Sequence, residues 1–586
     1  MKLSRKEFDF ITSILSPEVG GGKSKLDCTP DLTLLEHCRA KELIEKDSYK
    51  LTEACKSLLE KYKVRNAIIL AAGLSSRFVP FSFEKPKGLI SVRGEILVER
   101  QIKQLKDAGI NDITLIVGYK KEHFFYLENK FNVKILVNEE YAQFNNPSSL
   151  NLCLDEISNT YICSSDNYFL ENPFSKYEYQ PYYSAEFSEG ETNEYCLGLS
   201  GDLITSVHPE GGRDAWFMIG HVYFDSVISE KFKEIFRKEY LSLEMRKSLW
   251  EDIYAKHVEE IKLHIKKYHK NIFEFDSYEE LREFDPLFLE FSDSKIIRNI
   301  SRTLNCLPGD IRDIKKIKEG MTNNSFSFSV GENRYVYRHP GVDTEKYINR
   351  YSESKAMEYA NKLALDNTFI FMDENEGWKI SRFLPNCREL SYGNLDDVSM
   401  AIALLRRLHN AHIEFRYEKF DVWNKTLEFI SVLKKESKIE FAGFNELFEL
   451  MGSIAKFVSG QKRPLCLCHC DSYSPNFLVH QGGMELVDWE YSGASDPALD
   501  IGIFICCSES YTFEDADRVI ELYLQRKPDQ DELRFYYAYI SLASYYWYVW
   551  ALYQESLGKS VGSYLLLWFN NSVNYGKKVL SSKNYN

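Results

Sequence analysis

The sequence predicts a multidomain α/β and α+β protein built as three consecutive segments. Residues 63 to about 288 alternate apolar strand runs with amphipathic helices, the pattern of a doubly wound, Rossmann-like sheet. From 289 to 586, strand-forming runs come first and helical periodicity takes over after Val398, so a β-rich lobe precedes an α-rich one. Residues 1–62 hold only short helical repeats and one extended piece. A chain of 586 residues also exceeds what a single core organises.

In the first segment Phe8, Phe10, Ile11 and Ile14 recur at helical spacing, as do Leu34, Leu35, Cys38, Leu43 and Ile44. Tyr49-Lys50-Leu51-Thr52 is extended, and Thr52 is placed to cap a helix from Glu53 to Tyr62. Helices, a strand and a further helix suggest a winged-helix-like module. Such modules often bind DNA, but this one lacks a strong basic cluster, so docking or regulation is an equal expectation. In the second segment Asn66–Leu70 reads as a buried strand, 71–78 as a loop, Leu97–Ala108 as a helix, and Ile113–Val117 and Val133–Val137 as strands. In the third, Lys315–Val330 suggests a hairpin broken at Gly320–Asn324, followed by a strand over Tyr335–Arg338.

Hydrophobic and charged contents of 44% and 27% are those of a globular protein, and the net charge of −14 argues against non-specific binding to nucleic acid or anionic membrane. No apolar run reaches the roughly 20 residues that span a bilayer, and no apolar core follows the first six residues, so a cytoplasmic protein is expected. Thirteen cysteines without a regular framework fit reduced thiols. Cys466, Cys468 and Cys470 beside His469 alternate as in a strand, unlike a zinc knuckle, and are expected to be small buried hydrophobes. Gly22-Lys23-Ser24 is no phosphate loop, because Pro17 stands where that motif needs glycine.

Two constellations carry chemistry. The first is His469-Cys470-Asp471-Ser472-Tyr473-Ser474-Pro475-Asn476, followed by an apolar strand ending at Asp488. This H-x-D-x-x-x-x-N layout is that of a kinase catalytic loop and its metal carboxylate, and makes the third segment a bilobal, protein-kinase-like domain. Asp471 would be the base near the attacking hydroxyl, with Asn476 and Asp488 holding Mg²⁺ against the phosphates. Arg338 occupies the place of the strand lysine that meets ATP phosphates, Glu353 is its expected helix partner, and the loop carrying Thr322 and Asn323 would cover the phosphates. Asp496 and Asp500 are expected to brace the loop.

The second constellation is Leu70-Ala71-Ala72-Gly73-Leu74-Ser75-Ser76-Arg77-Phe78, then Lys85-Pro86-Lys87-Gly88-Leu89. Gly73 lets the backbone approach a triphosphate, whose oxygens take N–H bonds from Ala71, Ala72 and the loop to Ser76. Arg77 and Lys87 neutralise phosphate charge and stabilise departing pyrophosphate. This pattern resembles the signature of sugar-phosphate and choline-phosphate nucleotidyltransferases. That resemblance places Mg²⁺ ligands at Asp166, which ends the strand Tyr161–Ser165, and at Asp276 in Phe273-Glu274-Phe275-Asp276-Ser277, with Glu251 or Asp252 as alternatives to Asp276.

The stretch from Asn138 to Leu150, with Asn145 and Ser149, resembles the nucleoside frame of bacterial CTP:phosphocholine cytidylyltransferases, as do Asp166-Asn167-Tyr168, Thr192-Asn193-Glu194-Tyr195 and Leu249-Trp250-Glu251-Asp252. The resemblance implies a trimethylammonium cage drawn from Tyr195, Trp216 and Trp250. The C-terminal segment resembles bacterial choline kinases, in which aromatics at the places of Tyr491, Trp547 and Trp550 enclose the quaternary ammonium. Together the resemblances imply consecutive reactions: ATP and choline give phosphocholine, which with CTP gives CDP-choline and pyrophosphate. The same architecture acting on ethanolamine or another amino alcohol, or serving as a ligand-sensing DNA-binding regulator, stands as the alternative.

Overall fold

The computed structural model describes residues 2–15, 32–317, 323–341, 348–411, 413, 418–435, 439 and 442–581. They form two compact units, Met1–Gly309 and Asp310–Asn586. The first reaches beyond the 288/289 boundary that the sequence suggests. Glu84 Oε1 accepts from the backbone N–H groups of Lys295 and Ile296, Phe288 packs edge-on against Phe81, and helix Lys295–Leu304 buries Ile296, Ile297 and Ile300.

Within the first unit, the leading residues form helices Arg5–Leu15, Leu32–Ala40 and Glu53–Leu59. Thr52 caps the third through Cys55 N–H, as its position implied. Among the described residues of this segment, β-pairing is limited to the antiparallel bridge Ile44–Leu51. Phe8, Ile11, Leu35, Cys38, Leu43, Leu51, Cys55 and Leu59 make its core, sealed by Tyr62 stacking on Tyr179.

The body of the unit is a nine-stranded sheet in the order 134–137, 113–117, 66–71, 160–164, 212–224, 182–192, 264–267, 203–208, 196–200. Its first four strands run parallel, which is the Rossmann-like half. Strand Asn66–Ala71 is followed by neighbours on opposite sides, so the order reverses between it and Thr160–Ser164. A crevice opens at the C-terminal ends of strands flanking such a switch point, and ligands bind there. Ala67, Ile68 and Ile69 are buried as both faces of this strand are covered. A small antiparallel pair matters more to the site than its size suggests. Strand Ile272–Glu274 pairs with Asn167–Phe169 in the register Glu274 to Asn167.

The second unit begins with a five-stranded antiparallel sheet ordered 311–316, 323–330, 333–340, 379–382, 369–372. Its central hairpin turns at Gly331, whose φ of +59° suits glycine. The expected break at Gly320–Asn324 falls largely on residues 318–322, outside the described residues. Helix Arg350–Lys362 follows, and the remainder is mainly helical. Helix Gln530–Ser556 runs through the core, buried on every side from Phe535 to Ala551. A helix apolar all round must be surrounded, and helices 422–435, 444–459, 498–506 and 564–581 pack on it. Among the described residues no helix is long and apolar enough to cross a membrane.

The tightest crossing in this core is at Gly502 of helix Ala498–Cys506. A Cβ there would stand 2.9 Å from the backbone C and O of Tyr539. Alanine gains about 1 kcal/mol of helix propensity, but backbone cannot yield as a side chain does, and overpacking costs about 1–3 kcal/mol or more. Gly502→Ala is therefore expected to destabilise the second unit by a net ~1–2 kcal/mol, read from the urea midpoint. An unchanged midpoint would mean that the two helices separate freely.

Candidate active sites

The crevice of the first unit is a cleft of about 1170 Å³. Loop residues 72–78 form one wall. A Cβ built on Gly73 meets nothing within 4 Å, so the fold itself does not require glycine there; a side chain would enter open space beside the cleft. Lys87, buried on a short 3₁₀ turn after Pro86, donates from Nζ to Asp166 Oδ2 at 2.8 Å and stands 3.9 Å from Glu274 Oε1. Arg77 is exposed and reaches Asp276 Oδ2 at 3.2 Å. The 272–274 pairing thus brings Glu274 and Asp276 alongside Asp166 at the switch point.

The electrostatics follow from that crowding. The negative charge of Asp166, with burial, pushes Glu274 up to about 8. Burial acts to raise Asp166, but the Lys87 ammonium overrides it and holds the carboxyl below its ordinary value. Burial acts to lower Lys87, and Asp166 and Glu274 outweigh it. Three carboxylates face two cations, and Asp166 Oδ1 is buried with no hydrogen-bond partner. Such a donor set, hard oxygens with an orphaned lone pair, fits a divalent cation of the Mg²⁺ type. Glu274, two residues before Asp276, joins the carboxylates that the sequence pattern points to.

Farther along the cleft, Asn145 caps helix Asn146–Asn151, and Asn138 donates to Ser148 Oγ at 2.8 Å and Ser149 Oγ at 3.0 Å. Asn146 donates to Glu251 Oε2 at 3.2 Å and accepts from Trp250 N–H at 2.7 Å. Trp250 stacks on Tyr183, and Tyr195 donates to Asp252 Oδ1 at 2.8 Å. Tyr183, Tyr195, Trp250 and Glu251 line the cleft. Trp216 is not among its lining residues. Its ring packs on Phe187 and His269, with the Lys267 ammonium 5.3 Å from its centroid. Tyr183 was absent from the expected set. Asp252 accepts from Leu249 N–H at 2.8 Å at the start of helix Trp250–Lys256, a structural duty.

In the second unit Asp500 organises the catalytic loop. Its carboxylate accepts from His469 N–H at 2.8 Å and Cys470 N–H at 2.7 Å, and its carbonyl from Ser472 Oγ at 2.6 Å. Asp496 caps Ala498. Asp500 therefore braces the loop, as expected, whereas Asp496 serves the start of helix Ala498–Cys506. Asn476 spends its amide nitrogen on Asp471, 2.7 Å to the carbonyl and 2.9 Å to Oδ2, which leaves Oδ1 as the atom that can serve a cation. Arg338 meets Glu353 Oε1 at 2.6 Å, Asp488 Oδ1 at 3.5 Å and Glu490 Oε2 at 3.7 Å. Asn323 donates to Glu490 Oε2 at 2.7 Å. Thr322 lies outside the described residues.

Burial and the Asp488 charge push Asp471 well above the usual carboxylate range and Glu490 up to about 7. Asp488 is held low, because Lys379 and Arg338 outweigh its desolvation. Lys379, whose Nζ is 3.7 Å from Asp488 Oδ1, and Glu490 were not anticipated. This excess of oxygen ligands also fits a divalent cation. Tyr491 meets Trp547 edge-on at 5.9 Å, and Trp547 meets Trp550 at 5.4 Å. Trp568 stacks on Trp547 and Tyr564 packs on Trp568, so helix Tyr564–Ser581 enlarges the expected cluster.

A switch-point nucleotide cleft and a kinase-type loop define a chain with two separate transferase centres. The choline/ethanolamine kinase family matches residues 314–547, and the MobA-like NTP transferase domain matches 67–177. Choline-phosphate cytidylyltransferase of Streptococcus pneumoniae is 35% identical over 225 residues, covering 38% of this chain and 97% of that protein. The 2-aminoethylphosphonate cytidylyltransferase of Lancefieldella rimae is 34% identical over 232 residues, covering 38% and 92%. Protein LicA of Haemophilus influenzae is 28% identical over 261 residues, covering 42% and 75%. Among solved structures, choline kinase LicA from Streptococcus pneumoniae overlaps 49% of this chain and 98% of its own at 23% identity, with a TM-score of 0.41. The chain belongs to the choline-phosphate cytidylyltransferase family and fuses that domain to one of the choline/ethanolamine kinase family.

Burial pushes Glu251 from 4.5 up to about 7. A carboxyl raised on folding weakens the fold as it ionises: the penalty is nil below its unfolded value, builds between 4.5 and 7, and is complete above. Glu251→Gln should therefore stabilise the first unit at pH 8 by on the order of 1–3 kcal/mol and change nothing at pH 4. Denaturant titrations at the two pH values check it.

Proposed function

We propose that this chain phosphorylates choline with ATP in its second unit and couples phosphocholine to CTP in its first, giving CDP-choline and pyrophosphate. The observation that carries the proposal is the fusion itself: the product of one family's reaction is the substrate of the other's. In the second unit Asp471 accepts the proton of the choline hydroxyl, while Arg338, fixed by Glu353, meets ATP phosphates. Asn476 and Asp488 would hold Mg²⁺, which neutralises phosphate charge. Tyr491, Trp547, Trp550 and Trp568 surround the quaternary ammonium.

In the first unit the loop from Ala71 to Ser76 cradles the triphosphate of CTP, and Arg77 and Lys87 offset the charge of the departing pyrophosphate. Asp166 would hold Mg²⁺ with Glu274 or Asp276, and the ion would neutralise α-phosphate charge so that the phosphocholine oxygen can approach. Asn145 and Ser149 frame the nucleoside, and Tyr183, Tyr195 and Trp250 receive the trimethylammonium.

One observation favours a second reading. Glu251 puts a carboxyl in the same part of the cleft, and a primary ammonium, as in the substrate named for the Lancefieldella rimae relative, seeks an oxygen acceptor. Aromatic faces favour the trimethylated head, because it has no N–H to donate. Incubation with choline or ethanolamine, ATP, CTP and Mg²⁺ and mass analysis of the products decides between them. CDP-choline in large excess supports the proposal, and CDP-ethanolamine in excess overturns its substrate.

Asp471→Asn is expected to abolish choline phosphorylation and leave conversion of added phosphocholine intact. Asp166→Ala should do the reverse, with phosphocholine accumulating. Loss of both activities in either folded variant contradicts two independent centres. Comparing Glu274→Gln with Asp276→Asn identifies the second metal carboxylate by which of them raises the Mg²⁺ requirement of cytidylyl transfer.

Trp550→Ala should raise the KM for choline about 30-fold, the equivalent of a desolvated cation–π contact of about 2 kcal/mol, with little effect on the KM for ATP. Ethanolamine kinetics should suffer less. An unchanged choline KM returns Trp550 to a packing role.

A further inference from the structure

One cluster in the second unit lies outside both reactions. Cys466 and Cys468 are i and i+2 on strand Cys466–Cys468, so their side chains leave the same face, and their Sγ atoms are 3.8 Å apart. His409, the last residue of helix Leu395–His409, joins them: the two sulfurs and a ring nitrogen lie within 4.8 Å of one another. His469 and Cys470, the neighbours in sequence, are engaged elsewhere. His469 Nε2 bonds Val487 O, and the Cys470 thiol meets the Gly493 backbone.

From this geometry we propose that His409, Cys466 and Cys468 form a site for one thiophilic divalent cation, of which zinc is the type, set behind the catalytic loop. Two sulfurs bound at about 2.3 Å in a tetrahedron stand about 3.75 Å apart, which the observed spacing already matches. Thiolate and imidazole together select soft or borderline cations over Mg²⁺. The histidine is oriented as a metal ligand requires. Its Nε2 faces Asp500 Oδ2 at 2.9 Å. That leaves Nδ1, 2.9 Å from Tyr523 OH, as the nitrogen for a cation.

A carboxylate on the far nitrogen is the usual support of a metal-bound imidazole. A cation displaces the tyrosine hydroxyl, and the two thiols give their protons to solvent. Cys468 is buried while Cys466 is half-buried, so the site opens on the Cys466 side. Because Asp500 also holds the N–H groups of His469 and Cys470, the cation would lock the brace of the catalytic loop. It would take no part in phosphoryl transfer.

The full-length reduced protein, with Mg²⁺ present, is titrated with Co²⁺ and then Zn²⁺. One equivalent of Co²⁺ should give sulfur-to-cobalt charge transfer, which oxygen-only Mg²⁺ sites cannot produce, and one equivalent of Zn²⁺ should remove it. Cys466→Ala should abolish the band. Independently of any variant, Zn²⁺ should slow alkylation of Cys466 in the wild-type chain at least tenfold, read by peptide mass. Absence of the band in the wild type, its persistence in Cys466→Ala, or unprotected Cys466 each overturns the site.

Discussion

Crowding of like charges is the constraint on which the rest of this molecule depends. In the first unit Asp166, Glu274 and Asp276 stand together at the switch point, opposed by Lys87 and Arg77. Folding alone would not choose this arrangement, since each added carboxylate raises the cost of ionising the next, as the displacement of Glu274 to about 8 records. The antiparallel pairing of 272–274 with 167–169 enforces it. Backbone bonds and the aromatic packing of Phe273 and Phe275 on Phe284 hold the carboxylates where their mutual repulsion would part them. The fold thus holds together carboxylates whose mutual repulsion is recorded in the raised Glu274.

The second unit reaches the same condition by other means. Its sheet carries Arg338 and Lys379, and its loop carries Asp471, Asp488 and Glu490. The anchor is Asp500, fully buried, which turns two loop N–H groups inward. Cys470 and Asp488 adopt left-handed backbone, φ +61° and +66°, conformations that non-glycine residues hold only when their surroundings fix them. Burying His469 and Trp489 against each other supplies part of that fixing.

What the sequence disclosed follows one physical division. Groups fixed by a single short segment were legible: Gly73 to Lys87 around one strand end, and Asp471, Asn476 and Asp488 in one loop and strand. Thr52 as a cap, the parallel strands and the β-then-α order of the second unit were legible for the same reason. Groups that converge through register or packing were not. Glu274 faces Asp166 only because of a three-residue pairing, and Lys379 reaches Asp488 across lobes. His409 meets the two cysteines from a helix nearly sixty positions away. Trp216 shows the converse. It sits on strand Gly212–Phe224, whose register shifts at two places, so its facing could not be read from alternation, and its ring lies with Phe187 and Lys267 instead of lining the cleft.

The paired cations then acquire a meaning beyond charge balance. Lys87 is bound to Asp166, and Arg338 lies near Asp488. Each cation therefore shares a carboxylate with the position at which a dication would bind. A dication held by that carboxylate would weaken its hold on the side chain and would leave the cation available to phosphate. Lysine, a compact charge on a flexible stem, suits the transferase, where the departing pyrophosphate must be followed. Arginine suits the kinase, where its planar fork is already fixed on Glu353 and has less freedom to lose. The two cations thus stand in like positions beside a carboxylate, each with a side chain suited to its own unit.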